Sequence, residues 1–248
     1  MATSAHLQGS VRFGDEVLFD QLELNIPAKQ WTCLLGASGV GKSTILKLIG
    51  GLPTGGQFDG SIEFKCALPN GGSSAPRIAY MAQSDLLLPW LSVRENVLIG
   101  SRLRGDDANK SLADQLIAKV GLQAHGNKRP HQLSGGMRQR VALARTLMED
   151  TPLVLLDEPF SALDARTRFE MQALAFDVLA EKTVLLVTHD VSEAVRLGHQ
   201  LFVLSPGHVD SLSPDLQSPL RELNNADVLD FQSRVLLALN AQNVSTRA

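Results

Sequence analysis

Three groups of residues in this sequence are suited to chemistry on a phosphate. The first is Gly36, Ala37, Ser38, Gly39, Val40, Gly41, Lys42, Ser43 and Thr44, which fits the phosphate-loop pattern G-x-x-x-x-G-K-[ST] without mismatch. Gly36, Gly39 and Gly41 let the backbone approach a ligand closely. The loop N–H groups then form an anion nest at a helix N-terminus. Lys42 adds a point charge for the β- and γ-phosphates, and the Ser43 hydroxyl suits Mg²⁺, which prefers oxygen ligands. The second group is Asp157 and Glu158, two carboxylates closing the apolar run Leu153 to Leu156. In phosphate-loop enzymes that pattern places Asp157 near Mg²⁺ and Glu158 where a water attacks the γ-phosphate. The third is Ser134, Gly135 and Gly136, a serine and two glycines at a helix start, a second anion site. Glycine costs about 1 kcal/mol at an interior helix position relative to alanine, so the doubled glycine argues against an ordinary capped helix.

These groups need particular elements to hold them. Trp31 to Leu35 reads as a buried strand and Ile45 to Ile49 as the first turns of a helix, so the phosphate loop has its required strand–turn–helix context. Val11 to Ile26 alternates apolar and polar residues, which predicts antiparallel strands turning at Gly14-Asp15. Phe13 either stacks on a purine through its π-face or packs a strand face; local sequence leaves both open. Gly50 to Gly56 breaks the helix, Ser61 to Phe64 and Arg77 to Met81 read as strands, and Gln83 lies just past the latter. Pro69 to Ser74 is expected to be a surface turn.

From Ser84 the character changes. Ser92 to Glu95 fits a capping box, and Leu112, Leu116, Ile117 and Val120 recur at helical spacing. An inserted helical subdomain over about 84–150 is expected. Leu86 to Trp90 forms an apolar knot, either a contact surface or the subdomain's core. Thr183 to Thr188 reads as a buried strand ending at His189, at the sheet edge where ligands bind. Leu201 to Asp210 predicts a closing hairpin. Over about 226–240, Val228, Leu229, Phe231, Val235, Leu236 and Leu239 predict a terminal amphipathic helix packed on the domain.

Composition narrows the class. The chain has 248 residues, 44% of them hydrophobic and 20% charged, as in a globular protein. The net charge of −3 offers no broad basic surface for nucleic acid. Two cysteines, Cys33 and Cys66, do not make a disulfide framework, and Cys33 in a core strand reads as a small buried hydrophobe. A reducing compartment fits. Met1 to Ser10 has neither the basic nor the apolar region of a signal peptide. No apolar stretch approaches the ~20 residues of a membrane-spanning helix.

Taken together, GASGVGKST at 36–44, Gln83, LSGGMRQR at 133–140, LVLLDEPFSALD at 153–164 and His189 stand in one order. Over nearly its whole length the sequence resembles the ATP-binding subunit of an ABC transporter. The resemblance implies an α/β fold: a P-loop NTPase core with a mainly parallel sheet, an N-terminal antiparallel β-subdomain and an inserted helical subdomain, all within a single domain over 1–248. It implies ATP and Mg²⁺, with Phe13 on adenine and residues Gly36 to Thr44 around the phosphates. Ser43, Gln83 and Asp157 would serve the metal, Glu158 would act as base, and His189 would contact the γ-phosphate. Ser134, Gly135, Gly136 and Met137 would cover ATP on a second copy of the chain, with Asp164 at the dimer interface. Met137 stands where the family more usually has Gln.

Further partners follow from the same resemblance: a membrane permease touched by the 83–130 insert, and indirectly a periplasmic solute-binding protein, which puts the chain on the cytoplasmic face of the cell membrane. LLLPWLSVRENV and DEPFSALD look like bacterial importers of taurine, alkanesulfonates, nitrate or pyrimidine precursors of thiamine. QWTCLLGASGVGKST points within that group to the pyrimidine-precursor type, with taurine, alkanesulfonate or nitrate as the alternative. A non-transport ABC ATPase is a second class of reading. Such proteins usually carry long coiled-coil insertions or tandem cassettes, and this sequence has neither. A nucleotide-gated interaction module with little turnover is a third, and Glu158 argues against it.

Overall fold

The structure is a computed structural model. It describes residues 3–66, 76–205, 207–216 and 218–245, with side chains to 240 in the last helix. The expected turn at Pro69 to Ser74 and Pro206 of the hairpin lie outside the described residues. The chain divides into two compact units. One comprises Met1–Ile78, Pro152–Asp157 and Ala180–Ala248, the other Ala79–Thr151 and Glu158–Leu179.

The first unit holds two sheets. In the smaller, β1 (Thr3–Phe13) lies between β2 (Glu16–Ile26) and β4 (Gln57–Cys66), both antiparallel to it. The β1–β2 turn falls at Gly14-Asp15, where the alternating pattern placed it. Leu7 pairs with Leu24 on one side and Ile62 on the other, and Ala5, Leu7, Val11, Leu22, Leu24 and Ile26 are buried along alternate positions. In the larger sheet β3 (Trp31–Gly36) pairs in parallel with β7 (Thr183–Val187) and β8 (Gln200–Ser205), and β7 with β6 (Leu153–Asp157). The last strand, β9 (His208–Leu212), closes an antiparallel hairpin with β8.

Strands β3, β6 and β7 are buried at every residue. That is why they read as continuous apolar runs: parallel strands covered on both faces have no polar side to alternate with. Cys33 is fully buried, and burial pushes its thiol pKa far up, so it packs as the expected small hydrophobe. The start of β3 is pinned by the Trp31 N–H donating to His199 Nδ1 at 3.0 Å. Burial first, and the Arg221 charge second, hold the His199 imidazole below its ordinary pKa, the direction a ring accepting a hydrogen bond requires.

Helix α1 (Lys42–Ile49) packs on β3, β6 and β7, and α7 (Val191–Leu197) on β3. The terminal helix α8 (Ala226–Ser245) packs on α7 and β8. Val228, Phe231 and Val235 of α8 are buried, whereas Leu229 and Leu236 are exposed. Neighbours in sequence lie about 100° apart around a helix, and on this one-sided helix 228 and 235 turn inward while 229 and 236 turn outward.

Strand β5 (Ile78–Met81) carries the chain into the second unit. There α2 (Val93–Val97), α3 (Ile99–Arg104), α4 (Lys110–Lys119), α5 (Gly135–Leu147) and α6 (Ala165–Val178) follow in order. Ser92 and Glu95 form the reciprocal capping box read from the sequence. Helices α2, α4 and α5 pack on one another. Val93, Val97, Ala113, Leu116 and Ile117 are buried, while Leu112 is exposed in the first turn of α4.

Candidate nucleotide site

The phosphate loop is placed by sheet register. Leu34 of β3 pairs with Val187 of β7, and Val187 pairs with Asp157 of β6. Gly36, Asp157 and, two residues beyond Val187, His189 therefore all stand at the carboxyl edge of one parallel sheet. That edge is where open α/β sheets bind ligands. Asp157 is buried (3% exposed), and His189 is exposed. The Thr188 N–H donates to Leu34 O at 3.2 Å, carrying the β3–β7 pairing one residue closer to His189.

Residues 37–39 are exposed, and Lys42 is 5% exposed. The Lys42 ammonium folds back over its loop, donating to Gly36 O and Ala37 O at 2.8 Å each. Gly41 caps α1 with φ 102°, and a Cβ there would come within 2.7 Å of the Phe19 ring of β2. Both the positive φ and the close approach demand glycine. Phe13 ends β1 at 37% exposure, its ring over Gly56, where a Cβ would come within 2.9 Å. It is neither a core residue nor a free one: one edge is seated and the rest is open.

The second unit carries the other expected residues. Glu158, the first residue after Asp157, takes φ 47°, a left-handed conformation uncommon outside glycine that costs on the order of 1–3 kcal/mol. Gln83, 75 positions away in sequence, donates through Nε2 to Glu158 Oε2 at 3.3 Å. The Glu158 carbonyl oxygen accepts from the Ser161 N–H (3.3 Å), Ser161 Oγ (3.0 Å) and Gln139 Nε2 (3.3 Å). The Ser134 hydroxyl caps α5, accepting from the Met137 N–H at 3.3 Å.

The two signature glycines differ. A Cβ on Gly136 would meet Ala162 O at 3.2 Å, so Gly136 lets α5 lie close to the segment after Glu158. Gly135 is exposed, with only Arg138 Nη2 near a Cβ position, at 3.9 Å. Packing explains Gly136, whereas no close neighbour requires a glycine at 135. Asp164 is exposed and caps α6, accepting from the Thr167 N–H at 3.0 Å; that hydrogen bond holds its carboxyl below the usual range.

Among the described residues no three His, Cys, Asp or Glu cluster as a metal cage. Of the oxygen donors expected for Mg²⁺, the first unit holds the Ser43 hydroxyl and the buried Asp157 carboxylate. Mg²⁺ keeps several waters and takes phosphate oxygens alongside one or two protein ligands, a chemistry these two donors suit without a cage.

The family model for the ABC transporter matches residues 19–161. The chain belongs to the ABC transporter family. The cassette is 45% identical over 241 residues to an uncharacterized ABC transporter ATP-binding protein of Haemophilus influenzae, covering 94% of this chain and 97% of that one. It is 40% identical over 226 residues to the aliphatic sulfonates import ATP-binding protein SsuB of Bacillus subtilis, covering 88% and 86%. A solved dimer of the cassette MJ0796, in a post-hydrolysis state with ADP and Pi, matches with TM-score 0.73 and 29% identity, covering 88% of this chain and 99% of that chain. The P-loop NTPase fold and the ABC-type ATPase activity expected from the sequence are thereby shown. The pointer to thiamine pyrimidine precursors finds no support. The alternative containing alkanesulfonates fits the relatives better.

Four further side chains of this cassette's second unit bear on the site without belonging to its motif residues. Gln139, on α5, is 4% exposed and reaches the turn after Asp157. Its signal was available: it shares a helical stripe with Ala142, Leu143 and Thr146, all buried. Arg138 Nε pairs with Asp85 Oδ2 at 2.9 Å, and Arg145 donates to the Asp85 and Leu86 carbonyls at 2.7 and 2.8 Å. Asn96 is fully buried in α2. Its Oδ1 accepts from the Leu88 N–H at 2.8 Å, and its Nδ2 faces the carbonyls of Leu88, Leu91 and Ser92 at 3.0–3.2 Å. The apolar knot is thus split: Leu87 is buried, while Leu86 and Trp90 stand 62% and 65% exposed on a backbone held by Asn96 and Arg145.

Proposed function

We propose that this cassette is the ATP-hydrolysing subunit of an importer for small aliphatic sulfonates, working as a pair of copies beneath a separate membrane permease. The observation that carries the hydrolytic part is the register that sets Gly36, Asp157 and His189 on one sheet edge, with Glu158 covalently next to Asp157. The sulfonate assignment rests on relatives named for sulfonate import, at 40–41% identity over nearly the whole chain.

In this reading the backbone N–H groups of Gly36 to Thr44 and the Lys42 ammonium, released from its loop carbonyls, hold the triphosphate. Phe13 stacks on adenine. Ser43, Asp157 and Gln83 would hold Mg²⁺, which neutralises phosphate charge. Glu158 takes a proton from the attacking water as its oxygen bonds to the γ-phosphorus and the bond to the β-phosphate oxygen breaks, leaving ADP and phosphate. His189 contacts the γ-phosphate. Ser134, Gly135, Gly136 and Met137 cover ATP held by the other copy, with Asp164 nearby. The exposure of Ser134, Gly135 and Asp164 suits that contact. Closure excludes water other than the nucleophile.

No helix among the described residues is long and apolar enough to cross a membrane. Association with a permease on the cytoplasmic face would give a peripheral location, and exposed Leu86 and Trp90 are the proposed contact. The periplasmic solute-binding protein would meet the permease, not this chain.

Two measurements test the reading. Glu158→Gln is expected to reduce ATP turnover by about 100-fold or more, the scale of losing a general base. Equal rates would remove Glu158 as base. Disrupting the gene is expected to abolish growth of its host on an alkanesulfonate as sulfur source, with growth on sulfate intact. A normal sulfonate phenotype alongside lost uptake of nitrate or a pyrimidine would overturn the cargo.

A further inference from the structure

We infer that Gln139 is a positioning residue for hydrolysis, fastening the turn that presents Glu158 to the helix that begins at Ser134. The inference rests on the reading of Glu158 as base. Gln139 is 4% exposed, and its Nε2 donates to both Glu158 O (3.3 Å) and Pro159 O (3.0 Å). The turn it holds is not one the chain adopts unaided, since Glu158 sits at φ 47°. Strained conformations persist where surrounding structure over-determines them.

The fastening has two further points. Gly136 brings α5 against Ala162 O, and Phe160, fully buried, anchors the middle of the segment. Residues 158 to 163 are therefore seated on the same helix whose first turn carries the signature. A displacement of that turn is carried to the backbone of Glu158.

The amide suits this task by its chemistry. Buried carbonyls need donors, and leaving them without one is costly. A lysine or arginine would supply donors but also a cation near Glu158, which favours the ionised carboxylate and weakens it as a base. A neutral amide fixes the backbone without adding a charge beside it. Ser161 shares the load at Glu158 O through its N–H and Oγ, but no such second donor from Ser161 reaches Pro159 O.

The test uses the full-length chain with MgATP, comparing wild type, Gln139→Met, Glu158→Gln and the double variant. Methionine keeps the length and removes the donor. Gln139→Met is expected to lower kcat by about tenfold with KM for ATP and fluorescent-nucleotide affinity within about twofold. In the Glu158→Gln background the same change is expected to add less than about twofold, because a residue acting through Glu158 has nothing left to position. A kcat within twofold of wild type, or a full tenfold drop retained in the double variant, overturns the inference while leaving Glu158 as base. Equal rates for wild type and Glu158→Gln overturn the base and the inference together. If Gln139→Met does not fold, Ser161→Ala at the exposed end of the same turn decides: kcat reduced by about twofold or more at constant KM supports the inference, and an unchanged kcat overturns it.

Discussion

The two units place their functional groups by different means. In the first, backbone pairing does the placing: Leu34, Val187 and Asp157 lie opposite one another in three parallel strands, buried at every position. The side chains at the edge of that sheet are free to be chosen for chemistry. In the second, side chains do the placing. Gln139, Arg145 and Asn96 each reach from a helix to the irregular backbone beside it, and Arg138 reaches the Leu133 carbonyl and the Asp85 carboxylate. Irregular segments have no ladder to satisfy their backbone groups, so the buried amides of Gln139 and Asn96 and the half-buried guanidinium groups of Arg138 and Arg145 satisfy them instead. A functional-group substitution in the first unit should therefore largely spare the fold, whereas a placing residue in the second should affect the fold or the rate without touching nucleotide.

The largest expected effect separates the units most sharply. Lys42→Ala removes the charge at the phosphate loop, and ATP hydrolysis should fall by about 100-fold or more, electrostatic stabilisation being the largest single term in such reactions. Its melting temperature should fall less than that of a placing residue in the second unit, since of the two carbonyls that lose the Lys42 donor only Gly36 O is buried and Ala37 belongs to the exposed part of the loop. A large drop in melting temperature would show that the loop, too, is held by side chains. Intermediate in size is Asn96→Ala. It deprives the Leu88 N–H of its acceptor at a fully buried site and should destabilise the chain by about 2–4 kcal/mol in denaturant unfolding. ATP affinity per folded molecule should be unchanged, and a change within about 0.5 kcal/mol would break the comparison. The smallest effect belongs to Trp90→Ala, at 65% exposure. Stability and isolated ATPase rate should stay within about 0.5 kcal/mol and twofold. Co-purification with the permease should weaken, and unchanged co-purification would remove Trp90 from that contact.

The same difference explains what could be read in advance. The strands β3, β6 and β7, the capping box at Ser92, the helix start at Ser134 and the hairpin turn at Gly14 are local patterns, written in neighbouring residues. The substrate of the family's relatives is not local in this way, and the motif stretch that pointed to a pyrimidine precursor is shared machinery rather than cargo recognition. Leu229 and Leu236 face outward despite their helical spacing, because a pattern of apolar residues does not say which of two neighbours faces inward.

By itself, then, the sequence determined the phosphate loop, the paired carboxylates, the serine-glycine cap and the order of strands and helices that carry them. These rest on φ/ψ preferences, glycine's lack of a Cβ and hydrophobic periodicity, all of which act over a few residues. Only the tertiary structure decided that Gln83 meets Glu158 across 75 positions, that Gln139 holds the turn behind it, and that one signature glycine is packed while the other is open. Such contacts depend on how whole helices are laid against irregular backbone. Their energy comes from hydrogen bonds that exist only once distant segments have been brought together.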